Sequence, residues 1–410
     1  MEDDKFITKK REECKTSEIT PTMHALVDQW EKSEKTSEVH ERILKPYLYN
    51  GHYVSIDLIG STKKITSTSL ENALKGIDAS KKIVASYTRA IYGEPTGVWD
   101  ADNANIVFPE NIDVEKVTSQ LLAAKRETSR LDFPLGIAVH TGIFTRIDGL
   151  MVGPEVENTD ELAENHAQAN QILLTRKVFE KLVKKQSPLV SLLERKATSH
   201  GGYLIRDDGR EIHTFSGENS VYPYPYSKEV YEKVIQNQQV EMPNYIKEKY
   251  LQRTNVLFFK LFPRAKTPLL QELSDRVTAD WLFRQACTEF DDLNSITCDG
   301  ATGRFICANS EDAFEFSKRM QLILMENGFD SRIGISSGSV LFMNLENGYK
   351  RIEGLPLNTA AKLAEDSHGP KNTILLDETV KSGISSQNLR PFRAKLSGIE
   401  LKGTIYHSKL

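Results

Sequence analysis

Residues 53–62, YVSIDLIGST, join an apolar strand pattern to a carboxylate and a turn of small residues. Residues 98–108, VWDADNANIVF, bring a second carboxylate, Asp102, to the start of another apolar strand. A single Asp at a strand end is more often a turn or cap residue, so the hypothesis rests on the pair. Because Mg²⁺ and Mn²⁺ prefer carboxylate oxygens, Asp57 and Asp102 are candidate metal ligands. Backbone N–H groups at Gly60, Ser61 and Thr62 are candidate phosphate donors at a helix start.

The same order of strands and helices returns later in the chain without these carboxylates. Lys260 stands 203 residues after Asp57, and Ala301 stands 199 residues after Asp102. A nearly constant offset indicates an internal duplication. The sequence therefore predicts one metal site for two related halves.

Length and composition set the broad class of the protein. A chain of 410 residues exceeds a usual single domain, which favours two domains. The net charge of −4 gives no electrostatic reason to expect nucleic acid or an anionic membrane as partner. There is no apolar run long enough for a membrane span and no secretory pattern at the N-terminus. Four cysteines without CxxC spacing predict reduced thiols rather than zinc ligands, so we expect a cytoplasmic protein.

The pattern predicts a charged, helical N-terminal segment followed by two domains and a linker. The expected boundaries are 1–48 for the segment, 49–217 for the first domain, 218–253 for the linker and 254–410 for the second domain. A helical spacing covers residues 22–48, and the main helices are expected over 70–92, 114–130, 280–290, 311–326 and 358–365. Strands alternating with helices and hairpins indicate the α+β class, with two ferredoxin-like domains of antiparallel sheet backed by helices.

Several motifs resemble those of class III nucleotidyl cyclases. Residues 351–364, RIEGLPLNTAAKLA, are similar to that family's Gly-x-x-Val-Asn-x-Ala-x-Arg motif. Residues 332–338 and 139–142 resemble its R-x-G-I-H-x-G strand. Residues 57–62 resemble its D-I-x-G-F-T motif, and residues 102–108 its G-D-x-F strand, with Ala101 in place of the glycine. The resemblance extends over residues 50–215 and 254–408.

The resemblance implies a head-to-tail pair of domains that share an active site, here as a pseudo-heterodimer. One domain supplies two metal-binding carboxylates, Asp57 and Asp102, for two Mg²⁺ or Mn²⁺ ions. The other supplies Asn358 to orient the ribose and a lysine, Lys402, to contact the triphosphate. The implied reaction converts a nucleoside triphosphate to a 3′,5′-cyclic monophosphate and pyrophosphate.

One catalytic position departs from the family. Lys362 stands where the transition-state arginine is expected, and it keeps the charge but loses the bidentate fork. Arg146 and Arg264 are candidates for a supplementary cation. Lysine at this position also favours a rival hypothesis, a non-catalytic nucleotide-binding pseudo-cyclase.

The opposite site is expected to be inactive. Besides the lost carboxylates, a gapless alignment of residues 153–161, GPEVENTDE, puts Glu157 and Glu161 at the Asn and Arg positions. An insertion would instead put Asn158 at the Asn position. Losses that concentrate in one site and spare the other are the pattern of a pseudo-heterodimer.

Thr297 and Arg351 stand at the base-recognising positions, and they match neither purine pair of the family. Since an arginine side chain has only donors, it suits the acceptor edge of uracil or cytosine better than the adenine amine. The chain thus resembles the pyrimidine cyclases of the Pycsar antiphage type, with UTP and CTP both open. Adenylate cyclase activity is the alternative within the class. The implied partner is a nucleoside triphosphate; the internal pseudo-dimer can act as a monomer, and further dimerisation stays open.

Overall fold

The computed structural model describes residues 17–97, 99, 103–196, 198, 201–209, 224–237, 241–262, 267–290, 293–345, 348–365, 369–380, 384, 389–396 and 399–407. They form two compact units. The first-half unit comprises Glu41–Pro225 and Ile235–Val240. The second-half unit comprises Glu241–Leu410 together with Met1–His40 and Tyr226–Val234.

Helices α1 (Pro21–Glu31) and α2 (Ser37–Leu44) precede the first sheet. The strands that follow are β1 (Leu48–Leu58), β2 (Glu94–Pro95), β3 (Asn103–Pro109), β4 (Leu135–Ile147), β5 (Leu150–Val152), β6 (Gln171–Thr175), β7 (Leu193–Lys196) and β8 (Gly202–Ile205). The helices among them are α3 (Ser61–Ser67), α4 (Leu70–Arg89), α5 (Val114–Thr128), α6 (Pro154–Glu161) and α7 (Arg176–Lys184). A π-helical turn, Leu162–His166, continues α6.

The second sheet is preceded by α8 (Lys228–Val230) and α9 (Asn244–Tyr250). Its strands are β9 (Leu251–Phe262), β10 (Leu293–Cys298), β11 (Thr302–Cys307), β12 (Asp330–Asn344), β13 (Lys350–Glu353), β14 (Thr373–Asp377), β15 (Arg390–Leu396) and β16 (Ile399–His407). Its helices are α10 (Leu269–Cys287), α11 (Ser310–Glu326) and α12 (Leu355–Glu365).

The two sheets have the same topology. The first has the order β2-β3-β1-β4-β6-β8-β7, with β5 beside β4. The second has the order β10-β11-β9-β12-β14-β16-β15, with β13 beside β12. The tandem α+β architecture expected from the sequence is confirmed. The expectation of antiparallel sheets is wrong in one respect: both sheets are mixed, because β4 pairs with β6 and β12 with β14 in parallel. In each half a helix lies between these two strands in the chain and provides the crossover that a parallel pair requires.

Strand register makes the duplication specific at the residue level. Asp57 lies opposite Asn103 of β3 and Gly136 of β4. Lys260 lies opposite Thr302 of β11 and Arg332 of β12. Lys260 therefore occupies the position of Asp57 by its pairing on both sides, and not only by its sequence offset.

Each sheet packs one face on its own helices. In the first-half unit, Val54 and Ile56 of β1 share a buried cluster with Ile77 of α4 and Leu121 of α5. In the second-half unit, Phe259 of β9 meets Phe283, Phe305 and Phe316 edge to face, with ring centroids 5.3 to 5.7 Å apart. Each half thus has a hydrophobic core of its own, which the sheet's inward-facing positions supply.

The predicted N-terminal helix is two helices. The chain leaves α1 through a bend in which Lys35 has a positive φ of 52°. Helix α1 packs on α10: Trp30 is buried and donates from Nε1 to Gln271 Oε1 at 3.4 Å, and Ser274 donates to Glu31 at 2.8 Å. The N-terminal segment therefore covers the second half of the chain, which the sequence does not indicate.

The segment between the two halves, residues 218–253, contains helices in its described part. These are α8 and α9, which bury Val230 and Ile246, and β9 begins at Leu251. Of the described helices, none has the length and apolarity that crossing a membrane requires.

Helix α12 lies directly on β12 at two glycines. A Cβ at Gly334 would overlap the carbonyl oxygen of Ala360, and a Cβ at Gly338 would come within 2.9 Å of Pro356 Cγ. The absence of side chains at these two positions lets the helix backbone approach the strand. This close approach fixes the height of α12 above the sheet.

Gly334→Ala is expected to destabilise the second-half unit by about 2 kcal/mol or more, because the added methyl group must displace the α12 backbone. Urea unfolding of the full chain measures the loss. Gly202→Ala is a matched control in a strand of the first-half unit, since its Cβ would meet Thr198 Oγ1 at an ordinary 3.4 Å. Equal stability of the two variants would contradict the tight α12–β12 contact.

Candidate active site

Asp57 lies half-buried near the end of β1, at the edge of the first-half core. Its neighbours Ile56 and Leu58 are buried, so the strand alternation turns the carboxylate away from the core. Asp102, the second expected ligand, directly precedes Asn103, the cross-strand partner of Asp57. Asp102 itself lies outside the described residues.

The turn after Asp57 adopts the backbone conformation that its glycine permits. Gly60 is left-handed, with φ 73° and ψ 16°, and α3 begins at Ser61. Ile59 donates its N–H to the Pro134 carbonyl at 2.9 Å, which ties the turn to the loop before β4. Thr62 lies in the first turn of α3. The residues expected to bind phosphate, Gly60, Ser61 and Thr62, thus follow the carboxylate directly.

The donor chemistry here suits a hard cation. Asp57 offers carboxylate oxygens and remains partly exposed. Within the described ranges, no three His, Cys, Asp or Glu side chains come together as a metal-binding cluster. A divalent ion held by Asp57 would therefore depend on Asp102 and on oxygens from a substrate, which fits Mg²⁺ or Mn²⁺ rather than a structural zinc.

Asn358 and Lys362 are brought together by α12. They are four residues apart, so they share one helix face. Both are half-buried. Gly354, with a positive φ of 144°, immediately precedes the helix, and its carbonyl oxygen accepts from the Asn358 N–H at 3.4 Å. The α12–β12 contact therefore also fixes these two side chains.

The other expected site residues of the second-half unit lie on its strands. Thr297 lies on the edge strand β10, beside a bulge, and is buried. Lys402 lies on β16 opposite Arg393, and its amine is 4.0 Å from Glu400. Of the candidate extra cations, Arg146 donates to Glu94 at 3.0 Å within its own unit, and Arg264 lies outside the described residues.

Arg351 is buried on β13 and has an acidic neighbour that sequence reasoning missed. Its Nη2 atom lies 3.7 Å from Oε1 of Glu18. Glu18 belongs to a charged N-terminal stretch without any motif, so no signal in the sequence connects it to residue 351.

In the second-half unit, cations lie at and beside the β9 position that is equivalent to Asp57. The Lys260 amine lies 3.7 Å from Glu365 at the end of α12. Arg332, across the strand from Lys260, donates to the carbonyl oxygens of Ala364 at 3.1 Å and Gly369 at 2.9 Å. These cations hold the C-terminal end of α12, where exposed carbonyls favour positive charge.

Helix α6 is the counterpart of α12 and carries acidic residues in place of Asn358 and Lys362. Both helices start directly after a glycine with positive φ, Gly153 in one case and Gly354 in the other. This common start favours the gapless alignment, in which Glu157 and Glu161 take the two positions.

A buried polar pair distinguishes the first-half unit further. The Tyr53 hydroxyl donates to Asp160 Oδ1 at 2.9 Å, and desolvation raises the pKa of Asp160 to about 6. Burial also raises the pKa of Tyr53 well above 10. The two ring nitrogens of His140 differ in their surroundings: Nδ1 lies 2.9 Å from Thr175 Oγ1, and Nε2 lies 3.2 Å from the Glu155 carboxylate. Burial lowers the pKa of His140 to about 4.

Asp160→Asn is expected to stabilise the protein increasingly as pH rises. The pKa of this carboxyl is raised from its usual 3.8 to about 6 in the folded protein. The folded state therefore loses stability as the pH rises from about 4 to above 6, because the carboxyl ionises more readily in the unfolded chain. At pH 7.5 the variant should gain about 2 to 3 kcal/mol, and near pH 4 almost nothing. Urea unfolding at several pH values measures this difference. Asp28→Asn, on the exposed face of α1, is the control, and a pH-independent effect of Asp160→Asn would contradict the assignment.

Comparison with known proteins finds likeness in structure and not in sequence. The chain matches no protein-family profile and no curated protein. A class III adenylyl cyclase-like ATP-binding protein from Pseudomonas aeruginosa matches 83% of this chain and 85% of its own, at 10% identity and a TM-score of 0.51. A guanylate cyclase domain from Catenaria anguillulae (16% identity, TM-score 0.32) and the adenylyl cyclase CyaB from P. aeruginosa (13%, 0.33) match 38% and 40% of this chain. These two matches cover 94% of the guanylate cyclase domain and 99% of the CyaB chain.

The first of these neighbours aligns over most of both chains, and it defines the architecture. The chain has a tandem class III cyclase-like fold. At 10% identity the likeness concerns the fold alone.

Proposed function

We propose that the chain is a nucleotidyl cyclase with a single composite active site. It converts a nucleoside triphosphate to a 3′,5′-cyclic monophosphate and pyrophosphate. The observation that supports this is the division of functional groups between equivalent positions. Asp57 is matched by Lys260 in strand register, whereas Asn358 and Lys362 of α12 are matched by glutamates on α6.

Each half contributes a different part of the chemistry. Asp57 and Asp102 hold the cations, and the Gly60–Thr62 turn binds phosphate. Two Mg²⁺ or Mn²⁺ ions, when bound, supply charge neutralisation and a more acidic 3′-hydroxyl. Asn358 orients the ribose. Lys362 and Lys402 neutralise the charge that develops on the phosphates during cyclisation.

A pyrimidine triphosphate is the proposed substrate. Arg351 and Thr297 replace both family pairs that read purines, and the guanidinium offers donors to pyrimidine oxygens. As in the Pycsar type that the motifs resemble, the cyclic product would act as a second messenger in antiphage defence. UTP and CTP both satisfy this argument, and ATP is the alternative.

Incubating the purified chain with each of the four nucleoside triphosphates and Mn²⁺ tests the proposal, with mass spectrometry of the products. We expect a cyclic pyrimidine monophosphate. Asp57→Ala should reduce its formation at least about 100-fold, while Lys260→Ala, the matched change in the second half, should leave it nearly unchanged. Absence of any cyclic product would overturn the cyclase proposal, and cyclic AMP alone would overturn the pyrimidine assignment.

A non-catalytic nucleotide-binding role is the second candidate. The structural neighbour that aligns over most of this chain is described as an ATP-binding protein, and Lys362 replaces the expected arginine. The two roles differ in what residue 362 has to do. A binding protein needs only its charge, whereas a cyclase gains from a bidentate contact to the transition state.

Lys362→Arg is therefore expected to raise kcat roughly tenfold with little change in KM, because two parallel hydrogen bonds replace one. Lys362→Ala should lower kcat by a factor of about 100. Steady-state kinetics with the preferred nucleotide measures both. Nucleotide binding without turnover in wild type and in Lys362→Arg would favour the non-catalytic role.

A further inference from the structure

Ser17 and Glu18 extend the edge of the second sheet beside β10. Ser17 forms a parallel bridge with Cys298, and the Glu18 N–H donates to the Cys298 carbonyl at 2.9 Å. Cys298 directly follows Thr297, one of the two residues at the base-recognising positions. The backbone hydrogen bond thus fixes Glu18 next to this pair.

The chain on both sides of Glu18 anchors it. Ser17 Oγ accepts from the Ile19 N–H at 3.0 Å, and Thr20 caps α1 by accepting from the Met23 N–H at 3.2 Å. Helix α1 then buries Met23 and Trp30 against the second-half unit. Glu18, Thr297 and Arg351 all belong to this unit, although they are far apart in sequence.

Glu18 and Arg351 differ in accessibility. The Arg351 side chain is 5% exposed, and the Glu18 side chain is 38% exposed, with 3.7 Å between Nη2 and Oε1. The Glu18 carboxylate is the more exposed group of the pair, so a ligand that contacts the guanidinium also lies close to this carboxylate. The Glu18 carboxylate places hydrogen-bond acceptors beside the donors of the Arg351 guanidinium, whereas the sequence indicated donors only.

We propose that Glu18 is a specificity-determining residue of the nucleobase site, and that with Arg351 it selects CTP over UTP. This inference rests on the proposed cyclase function. The Watson–Crick edge of cytosine has an amine donor at one end, followed by the acceptors N3 and O2. A carboxylate accepts from the amine, while the guanidinium fork donates to both neighbouring acceptors.

Uracil does not match this arrangement. Its single donor, N3–H, lies between two carbonyl oxygens. A carboxylate that accepts from N3–H is repelled by both carbonyl oxygens, and the guanidinium can donate hydrogen bonds to only one of them. Thr297 adds no discrimination, since a hydroxyl both donates and accepts.

The test uses the full chain with equal concentrations of CTP and UTP, Mn²⁺, and mass spectrometry of the two cyclic products. Wild type should prefer CTP roughly tenfold or more, as expected for a matched hydrogen-bonding edge. Glu18→Gln should bring the ratio close to one or reverse it, because the amide can donate to the uracil O4 and accept from N3–H. Glu34→Gln, in the exposed bend after α1, is the control and should keep the wild-type ratio.

Several outcomes would overturn the inference and leave the cyclase proposal standing. They are cyclic products without a CTP preference in wild type, and an unchanged ratio in Glu18→Gln. Faster turnover of both nucleotides by Glu18→Ala at a constant ratio would also overturn it, because Glu18 would then block the site rather than read the base. If no nucleotide is cyclised, calorimetric titration with CTP and UTP separates the two claims. A tighter Kd for CTP that Glu18→Gln abolishes would still support Glu18, and equal Kd values would overturn it.

Discussion

The carbonyl oxygen of Ala360 occupies the space in which a side chain at residue 334 would lie. This steric constraint holds α12 directly on β12, and Gly338 beneath Pro356 repeats it near the start of the helix. Asn358 and Lys362 inherit their positions from this contact. The equivalent of Gly334 in the first half is Ala138, which is fully buried. Its methyl group excludes an equally close approach of α6, so the two halves differ in packing as well as in chemistry.

Much of the fold could be predicted because each half alternates apolar strands with helices at a constant offset. The start of α10 could not. The sequence predicts a helix from residue 280, whereas α10 begins at Leu269. Helix α1 packs on α10 and the sheet lies on its other side, so buried residues such as Leu270, Leu273 and Phe283 are spread around it. A helix buried on several sides has no amphipathic period to read.

The candidate site, like the fold, has a part that the sequence could predict and a part that it could not. The Asp57 turn, Asn358 and Lys362 lie in local motifs, and the structure gives them the expected strand end and helix face. The contact between Glu18 and Arg351 joins residues separated by most of the chain, and local patterns carry no information about such pairs. The same holds for Tyr53 and Asp160, whose partnership depends on α6 crossing β1.

The ion pair between Lys260 and Glu365, with Arg332 across the strand, limits which residues position 260 tolerates. An aspartate there would face the carboxylate of Glu365 and leave the end of α12 with one cation fewer. The repulsion would act three residues after Lys362, on the same helix. The two halves therefore tolerate opposite charges at equivalent positions of the same strand.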